Sequence, residues 1–244
     1  MEIIKNKTVA AIVTENIKTA DIFKKHGIDF CCGGGITLEK ACEKSNTNLD
    51  ELKKELIAID ANVVTSHNYN EWEIDYLADY IVNTHHKYVE EASTILIQYS
   101  DKVAKVHGHH YTEVVEINNI IHQVIQELAS HMKKEEIILF PFIKRMVAEK
   151  NGASFISKPQ FGTIENPIKM METEHEIAGD LLKQISILSN NYTPPEGACN
   201  TFKALYNKLN EFEQDLHKHV HLENNILFPK AIIFEKAIQK KEQV

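Results

Sequence analysis

No run of ~18 apolar residues, the length that spans a membrane, occurs in this 244-residue sequence, so it has no candidate transmembrane helix. The first residues, MEIIKNKTVAAIVTEN, also lack a hydrophobic core of signal-peptide length and a small-residue cleavage site. Basic residues are in the minority, with 27 Lys and Arg against 35 Asp and Glu, and the net charge of −8 disfavours nucleic acid as a partner. We therefore expect a cytoplasmic protein that binds neither nucleic acid nor membrane.

Cysteines are few, and in a reducing compartment we expect all four to be thiols rather than a disulfide framework. Cys31 and Cys32 are adjacent, so no ordinary unstrained bridge can join them. They lie in IDFCCGGGI, where glycine-rich backbone and a following helix would supply amide dipoles that lower a thiol pKa. Such a pair could take up iron transiently or exchange its redox state. The alternative is two small, half-buried residues in a turn.

The sequence has no stretch that alternates at the strand period, which predicts an all-α fold. Residues 1–62 are typical of a small helical domain, and the polar stretch 61–71 marks its boundary. Four long amphipathic segments follow, at about 73–104, 111–148, 165–190 and 198–237. Long helices with short connections predict an up-down four-helix bundle over residues 72–240.

A repeated motif is the main chemical feature of the bundle. HMKKEEIILFP at 131–141 recurs as HVHLENNILFP at 219–229. In each copy a histidine precedes a glutamate by four residues, as His131 precedes Glu135 and His219 precedes Glu223. Residues at this spacing share one face of a helix. Two helices that each offer such a pair could hold two metal ions between them.

Two further histidines extend the repeat, because His85 lies on the first bundle helix and His175, 90 residues later, on the third. Four imidazoles and two carboxylates suit iron, manganese or zinc. If each ion takes two imidazoles and both glutamates bridge, an oxo or hydroxo bridge leaves one position open on each ion. An open position is what a reactive or carrier site needs, so we choose iron. The alternative is that the repeat records duplication alone. The predicted ligands are His85, His131, Glu135, His175, His219 and Glu223.

Neighbouring carboxylates could orient these imidazoles as hydrogen-bond acceptors. Glu127 and Asp215 each lie four residues before the histidine of a motif, and Glu174 lies beside the third-helix histidine. Each of the three is alternatively a solvated surface carboxylate. His86 and His221 lie one or two residues from predicted ligands, so an α-helix would point them away from the site.

The sequence resembles the RIC (repair of iron centres) family, the iron–sulfur cluster repair di-iron proteins, over essentially its whole length. DFCCGGG at 29–35 is similar to the signature of that family's N-terminal domain. The two motif copies, METEHEIAGDLL at 171–182 and TPPEGAC at 193–199 are similar to its hemerythrin-like domain. The resemblance implies a non-haem di-iron centre in a hemerythrin-like bundle. It implies these ligands: His85, His131 and Glu135 from one half, and His175, His219 and Glu223 from the other, both glutamates bridging.

By this resemblance the chain helps restore iron–sulfur clusters damaged by nitric oxide or oxidants, and its partners are damaged or apo cluster proteins. Our leading hypothesis is an iron donor, with Cys31 and Cys32 as a relay, rather than a conventional enzyme. Direct chemistry with nitric oxide, including its reduction, stays open. A hemerythrin-like carrier or sensor of O2 or NO is a rival, and a zinc-stabilised structural bundle is another. The oligomeric state is left open, with a homodimer as one option.

Overall fold

The computed structural model describes residues 6–60, 68–153 and 159–241 of the chain. Within these residues the protein is all-α, as predicted, and its only β-type pairing is an isolated bridge between Thr8 and Thr37. None of the helices in the described ranges is both long and apolar enough to cross a membrane. Most of the predicted linker, residues 61–67, lies outside the described residues, and a short 3₁₀ helix, Tyr69–Glu71, follows it.

Four short helices form the N-terminal part of the chain: α1 (Val9–Glu15), α2 (Thr19–Lys25), α3 (Leu38–Ser45) and α4 (Leu49–Asp60). Hydroxyl caps begin two of them. Thr8 Oγ1 accepts from Ala11 N at 3.1 Å, and Thr37 Oγ1 accepts from Lys40 N at 3.4 Å. Gly27, after α2, adopts the left-handed φ of 65° that a glycine allows, and the chain then turns into the cysteine loop.

The remaining helices come from the four predicted amphipathic segments. The first is α5 (Ile74–Ile81) and α6 (Lys87–His107), the second α7 (Glu113–Lys134) and α8 (Phe140–Lys150), and the third α9 (Glu165–Leu188). The fourth is α10 (Asn200–Leu222) and α11 (Phe228–Lys241). Helix α7 packs against α6 and α9, and its apolar stripe, which includes Ile117, Ile121 and Val124, is buried.

Three of these segments widen into a π-helical turn in the middle. The first π turn is Val82–His86, the second Glu135–Leu139 and the third Glu223–Leu227. A π turn bonds i to i+5 and fits an extra residue into the helix, so it shifts the angular position of every side chain that follows. Single π turns inside α-helices are frequent at functional sites, and each of these three coincides with a predicted ligand.

The chain divides into two compact units. One comprises the described residues up to Leu77 together with those from Val220 onward, and the other comprises Ala78–His219. The boundary within the fourth segment therefore lies inside α10, between the histidine and the glutamate of the second motif copy. The sequence-based division at 1–62 and 72–240 stays a prediction.

Candidate metal centre

The second π turn begins at Glu135, whose side chain is completely buried. Its Oε2 atom lies 3.3 Å from His131 Nε2, one turn earlier on α7. The same oxygen lies 3.3 Å from His86 Nε2, at the end of the first π turn. One carboxylate oxygen thus lies at the same distance from imidazoles on two helices.

The first imidazole pair joins the two halves of the repeat rather than lying within one half. His131 Nε2 and His175 Nε2 lie 3.0 Å apart, on α7 and α9. Ligand atoms of His131, Glu135 and His175 all lie within 4.8 Å of one another. All three side chains are buried, with 2% or less of their surface exposed.

A second group shares the same carboxylate. Ligand atoms of His86, Glu135 and His219 lie within 4.8 Å of one another, and the three side chains are buried. His86 Nδ1 lies 2.7 Å from Glu136 Oε1, so both of its ring nitrogens face carboxylates. The expectation that His86 points away from the site is therefore wrong. It assumed α-helical angles, whereas residues 82–86 form a π turn.

His85, the predicted ligand, is buried beside this second group but is oriented differently. Its Nδ1 lies 3.0 and 3.1 Å from the two carboxylate oxygens of Asp215 on α10. Its ring stacks on that of His219, with centroids 5.5 Å apart and an angle of 8° between the planes. Because Asp215 contacts Nδ1, a metal ion could bind this ring only through Nε2.

Of the three predicted orienting carboxylates, two contact a histidine of the site. Besides Asp215, Glu174 Oε2 lies 2.9 Å from His131 Nδ1, and the same carboxylate accepts a hydrogen bond from Lys134. Partial burial alone would raise the pKa of Glu174, but the hydrogen bonds from Lys134 and His131 lower it overall. Glu174 therefore carries a negative charge against an imidazole at neutral pH. Glu127 is exposed and lines a cleft beside His131.

Glu223, the last predicted ligand, lies in the other compact unit, in the continuation of the helix that carries His219. It follows His219 by four residues, as Glu135 follows His131. Its side chain is completely buried, and it begins the third π turn as Glu135 begins the second. The sequence repeat is therefore also a repeat of local backbone structure.

These donor atoms suit a metal ion. Two ligand atoms at right angles on an ion with bonds of about 2.0–2.1 Å lie roughly 3 Å apart. His131 Nε2 is 3.0 Å from His175 Nε2 and 3.3 Å from Glu135 Oε2. Imidazole nitrogens with carboxylate oxygens form the donor set that iron, manganese and zinc accept.

The cysteine loop, in the unit that also contains Glu223, is organised by the Asp29 carboxylate. Asp29 accepts hydrogen bonds from Cys31 N at 2.8 Å and Gly33 N at 2.9 Å, and its Oδ1 lies 3.3 Å from Cys31 Sγ. The Cys32 thiol, burial and the nearby Asp29 charge raise the pKa of the Cys31 thiol well above its ordinary value. The predicted lowering of that pKa is wrong for Cys31, because the loop amides bond to Asp29 and not to sulfur.

Sequence reasoning assigned no role to His221 and Asn225, yet both contact this loop. His221 is completely buried, and burial lowers its pKa to about 4, so the ring is neutral. Its ring packs edge-on against Phe30 at 6.1 Å, and Asn225 Nδ2 lies 3.1 Å from its Nδ1. The same amide donates to the carbonyl oxygens of Phe30 and Cys31 at 3.4 and 3.3 Å. In the sequence both positions differ from the first motif copy, because His221 stands where that copy has Lys133 and Asn225 stands where it has Ile137.

Comparison with known proteins gives matches over nearly the whole chain. The family described as hemerythrin HHE cation binding domain matches residues 77–231, and ScdA_N, described as a domain of unknown function (DUF542), matches residues 5–60. The iron-sulfur cluster repair protein YtfE of Yersinia pseudotuberculosis serotype IB (strain PB1/+) is 36% identical over 229 residues, 93% of this chain and 97% of the relative. The protein of the same name from Yersinia pestis (strain Pestoides F) matches with the same identity and coverage. The chain therefore belongs to the RIC family of hemerythrin-like proteins, as its motifs predict.

Proposed function

We propose that this chain is a non-haem di-iron protein that supplies iron for the repair of iron–sulfur clusters under nitrosative or oxidative stress. The observation that carries the proposal is the buried Glu135 carboxylate, whose Oε2 lies 3.3 Å from imidazoles on two helices. The names of the YtfE relatives supply the link to cluster repair. Cytoplasmic location and a homodimer stay predictions.

The two groups that share this carboxylate support the proposal of two irons per chain. One iron would bind the imidazoles of His131 and His175, and the other would bind His219 and an imidazole from the first π turn. Glu135 would bridge them, and Glu223 would supply the second bridging carboxylate, since it repeats the spacing, burial and π-turn position of Glu135. When bound, such a pair supplies open coordination positions for exchange or for small ligands.

For the first π turn we propose His85 as the ligand. Metal-bound histidines almost always donate their other ring N–H to a carboxylate or carbonyl, and Asp215 accepts from His85 Nδ1 through both oxygens. The resemblance to the RIC family implies the same residue. His86 is the competing ligand, because its Nε2 is the nitrogen that faces Glu135.

Iron in an imidazole-rich site is easier to withdraw than iron in a thiolate or all-carboxylate cage, which suits a donor. The proposed relay passes ferrous iron through Cys31 and Cys32 to the recipient protein without a change of oxidation state. A thiol that takes up iron must lose its proton. That proton leaves to solvent, and the positive charge of the bound ion offsets the rise in the pKa of the Cys31 thiol.

Metal analysis and iron transfer test the two parts of this proposal. Purified protein should contain two irons per chain, and His131→Ala or His219→Ala should each disrupt the pair; one zinc per chain would exclude the di-iron site. Iron-loaded protein is then mixed with an apo cluster enzyme and sulfide. Cys31→Ser/Cys32→Ser should slow transfer, whereas Cys42→Ser, a buried cysteine of α3, is the matched control. Equal rates for the double variant and the parent would remove the relay.

A second candidate function is the binding or reduction of a diatomic ligand such as NO or O2. The observation in its favour is the cleft lined by Glu127, Leu128, Glu174 and Ile177, which also reaches His131 and His175. Reversible oxygenation without loss of iron would favour a carrier or sensor over a donor. Turnover of NO with electrons from a supplied reductant would favour an enzyme.

A further inference from the structure

In the third π turn, the two residues that follow Glu223 contact the cysteine loop. Asn224 Nδ2 lies 3.9 Å from Cys32 Sγ. Asn225 Nδ2 donates to the carbonyl oxygens of Phe30 and Cys31. Glu223 and the two asparagines are consecutive, so one helical turn carries a proposed iron ligand and both contacts to the loop.

His221, one turn before Asn225, completes this contact from the end of α10. Its buried ring packs against Phe30, and its Nδ1 lies 3.1 Å from Asn225 Nδ2. The ring thus fixes the rotamer of the Asn225 side chain, and a fixed amide can donate to two carbonyl oxygens at once. Contacts of this kind orient a functional group through a neighbour rather than by touching the reacting atoms.

The cysteine loop is also held on its other side, where Gly34 contacts α1. A Cβ atom on Gly34 would meet Phe30 O at 2.4 Å and Ala10 Cβ at 3.1 Å, so only glycine fits there. Gly34 O accepts from Ala10 N at 2.8 Å, which ties the loop to α1. The loop is therefore held by α1 on one side and by the Asn225 amide on the other.

We propose that Asn225, buttressed by His221, is the positioning residue that fixes Cys31 and Cys32 beside the third π turn. This deepens the proposed function, on which it rests, by assigning the residue that holds the relay cysteines next to the Glu223 segment. Without the two donated hydrogen bonds the loop stays tied to α1 but moves away from the π turn. The cysteines then become more accessible, and iron transfer through them becomes slower.

Alkylation of individual cysteines tests the position of the loop without measuring transfer. The iron-loaded full chain is treated with iodoacetamide under native conditions, and the rate at each cysteine is read by peptide mass spectrometry. Asn225→Asp keeps the side-chain shape but replaces the donors with a carboxylate that repels the two carbonyl oxygens. Because Asn225→Asp loses the two hydrogen bonds to the loop carbonyl oxygens, we expect the alkylation rate at Cys31 and Cys32 to rise roughly ten-fold. Asn225→Gln, which keeps the amide donors, should restore most of the protection.

Two controls separate positioning from a general loss of structure. Cys42 is buried in α3, and its rate should stay unchanged in Asn225→Asp. Asn83→Asp makes the same substitution at an exposed asparagine of the first π turn and should leave all rates at the wild-type value. Unchanged rates at Cys31 and Cys32 in Asn225→Asp would overturn the proposal. An equal rise at Cys42 would overturn it too, because the whole helical unit would then be loosened.

Iron transfer by the same variants distinguishes this inference from the proposed function. If Asn225→Asp exposes the two cysteines and slows transfer to the rate of Cys31→Ser/Cys32→Ser, both proposals are supported. If it exposes the cysteines while transfer keeps the parent rate, the relay fails and the positioning role of Asn225 stands.

Discussion

The identity of the ligand in the first π turn can be tested through the carboxylates that orient its two histidines. Asp215 holds His85 Nδ1 at 3.0 Å, and Glu136 holds His86 Nδ1 at 2.7 Å. Asp215→Asn and Glu136→Gln each remove one negative charge and keep the shape of the side chain. Neither substitution removes an imidazole, so each variant tests one orientation while the ligand set remains intact.

The expected magnitudes differ because only one of these histidines is proposed to bind iron. Loss of a carboxylate that orients a metal-bound histidine typically weakens metal binding about 10–100-fold, roughly 1.4–2.7 kcal/mol. We expect this loss in Asp215→Asn. In Glu136→Gln we expect less than about two-fold, because His86 is not a proposed ligand and the Glu136 side chain is 40% exposed to competing water.

The assay is competition for ferrous iron against a coloured chelator, followed under anaerobic conditions for both variants and the wild type. Circular dichroism of the iron-free proteins checks that each variant folds. The reverse pattern, with Glu136→Gln weakening iron binding ten-fold or more and Asp215→Asn binding like the wild type, would show that His86 is the ligand. Equal binding by all three proteins would refute the orienting role of both carboxylates.

Four further outcomes are expected. Glu174→Gln should weaken iron binding about 10–100-fold, because it removes the acceptor at His131 Nδ1, whereas exposed Glu127→Gln in the same cleft should leave the chelator titration unchanged. The folded protein raises the pKa of the Cys31 thiol, so the neutral thiol stabilises the folded state fully below the ordinary thiol pKa of 9.0. This stabilisation is lost as the pH rises from 9.0 towards the raised pKa. Urea unfolding at pH 7 and pH 10 should therefore show a larger loss in the wild type than in Cys31→Ser; equal losses contradict the raised pKa. Iron removal should lower the free energy of unfolding by about 4 kcal/mol relative to protein with iron at ~1,000 times its Kd, and an unchanged Tm would contradict binding to the folded state. Ile117→Ala, at a completely buried position of α7, should cost about 2–5 kcal/mol in urea unfolding, and a cost below 1 kcal/mol would contradict its place in the core.

The helical class was predictable because it depends on the spacing of apolar residues over long segments, and the alternation typical of strands is absent from the sequence. The His-x3-Glu pairs were predictable for the same reason, since one α-helical turn separates His131 from Glu135. The pairing of His131 with His175 was not predicted, because contacts between the two halves depend on how the helices pack. A repeat in the sequence does not say whether its copies bind one ion each or share both.

One error comes from a local departure from the α-helix, and the other comes from competition for hydrogen bonds in the cysteine loop. His86 was assigned to the wrong face because no residue in NTHH signals a π turn, and one extra residue per turn changes the direction of the side chain. The Cys31 pKa was expected to fall because glycine-rich loops offer amides to a thiolate. In this loop Asp29, two residues before Cys31, accepts the hydrogen bonds of the loop amides instead. Such competition depends on distances of a few ångströms, which residue order does not reveal.

The second π turn also determines which changes of length the motif can accept. Its exposed Ile137 contributes little to the core, with 63% of its surface open, so substitution there should be mild. Deleting that residue is different, because the widened turn would become a regular one and everything after it would rotate by about 100°. Phe140, Phe142 and Ile143, all buried, would then leave their places in the apolar stripe of α8. In HMKKEEIILFP the number of residues between glutamate and proline is therefore constrained more tightly than the identity of some of them.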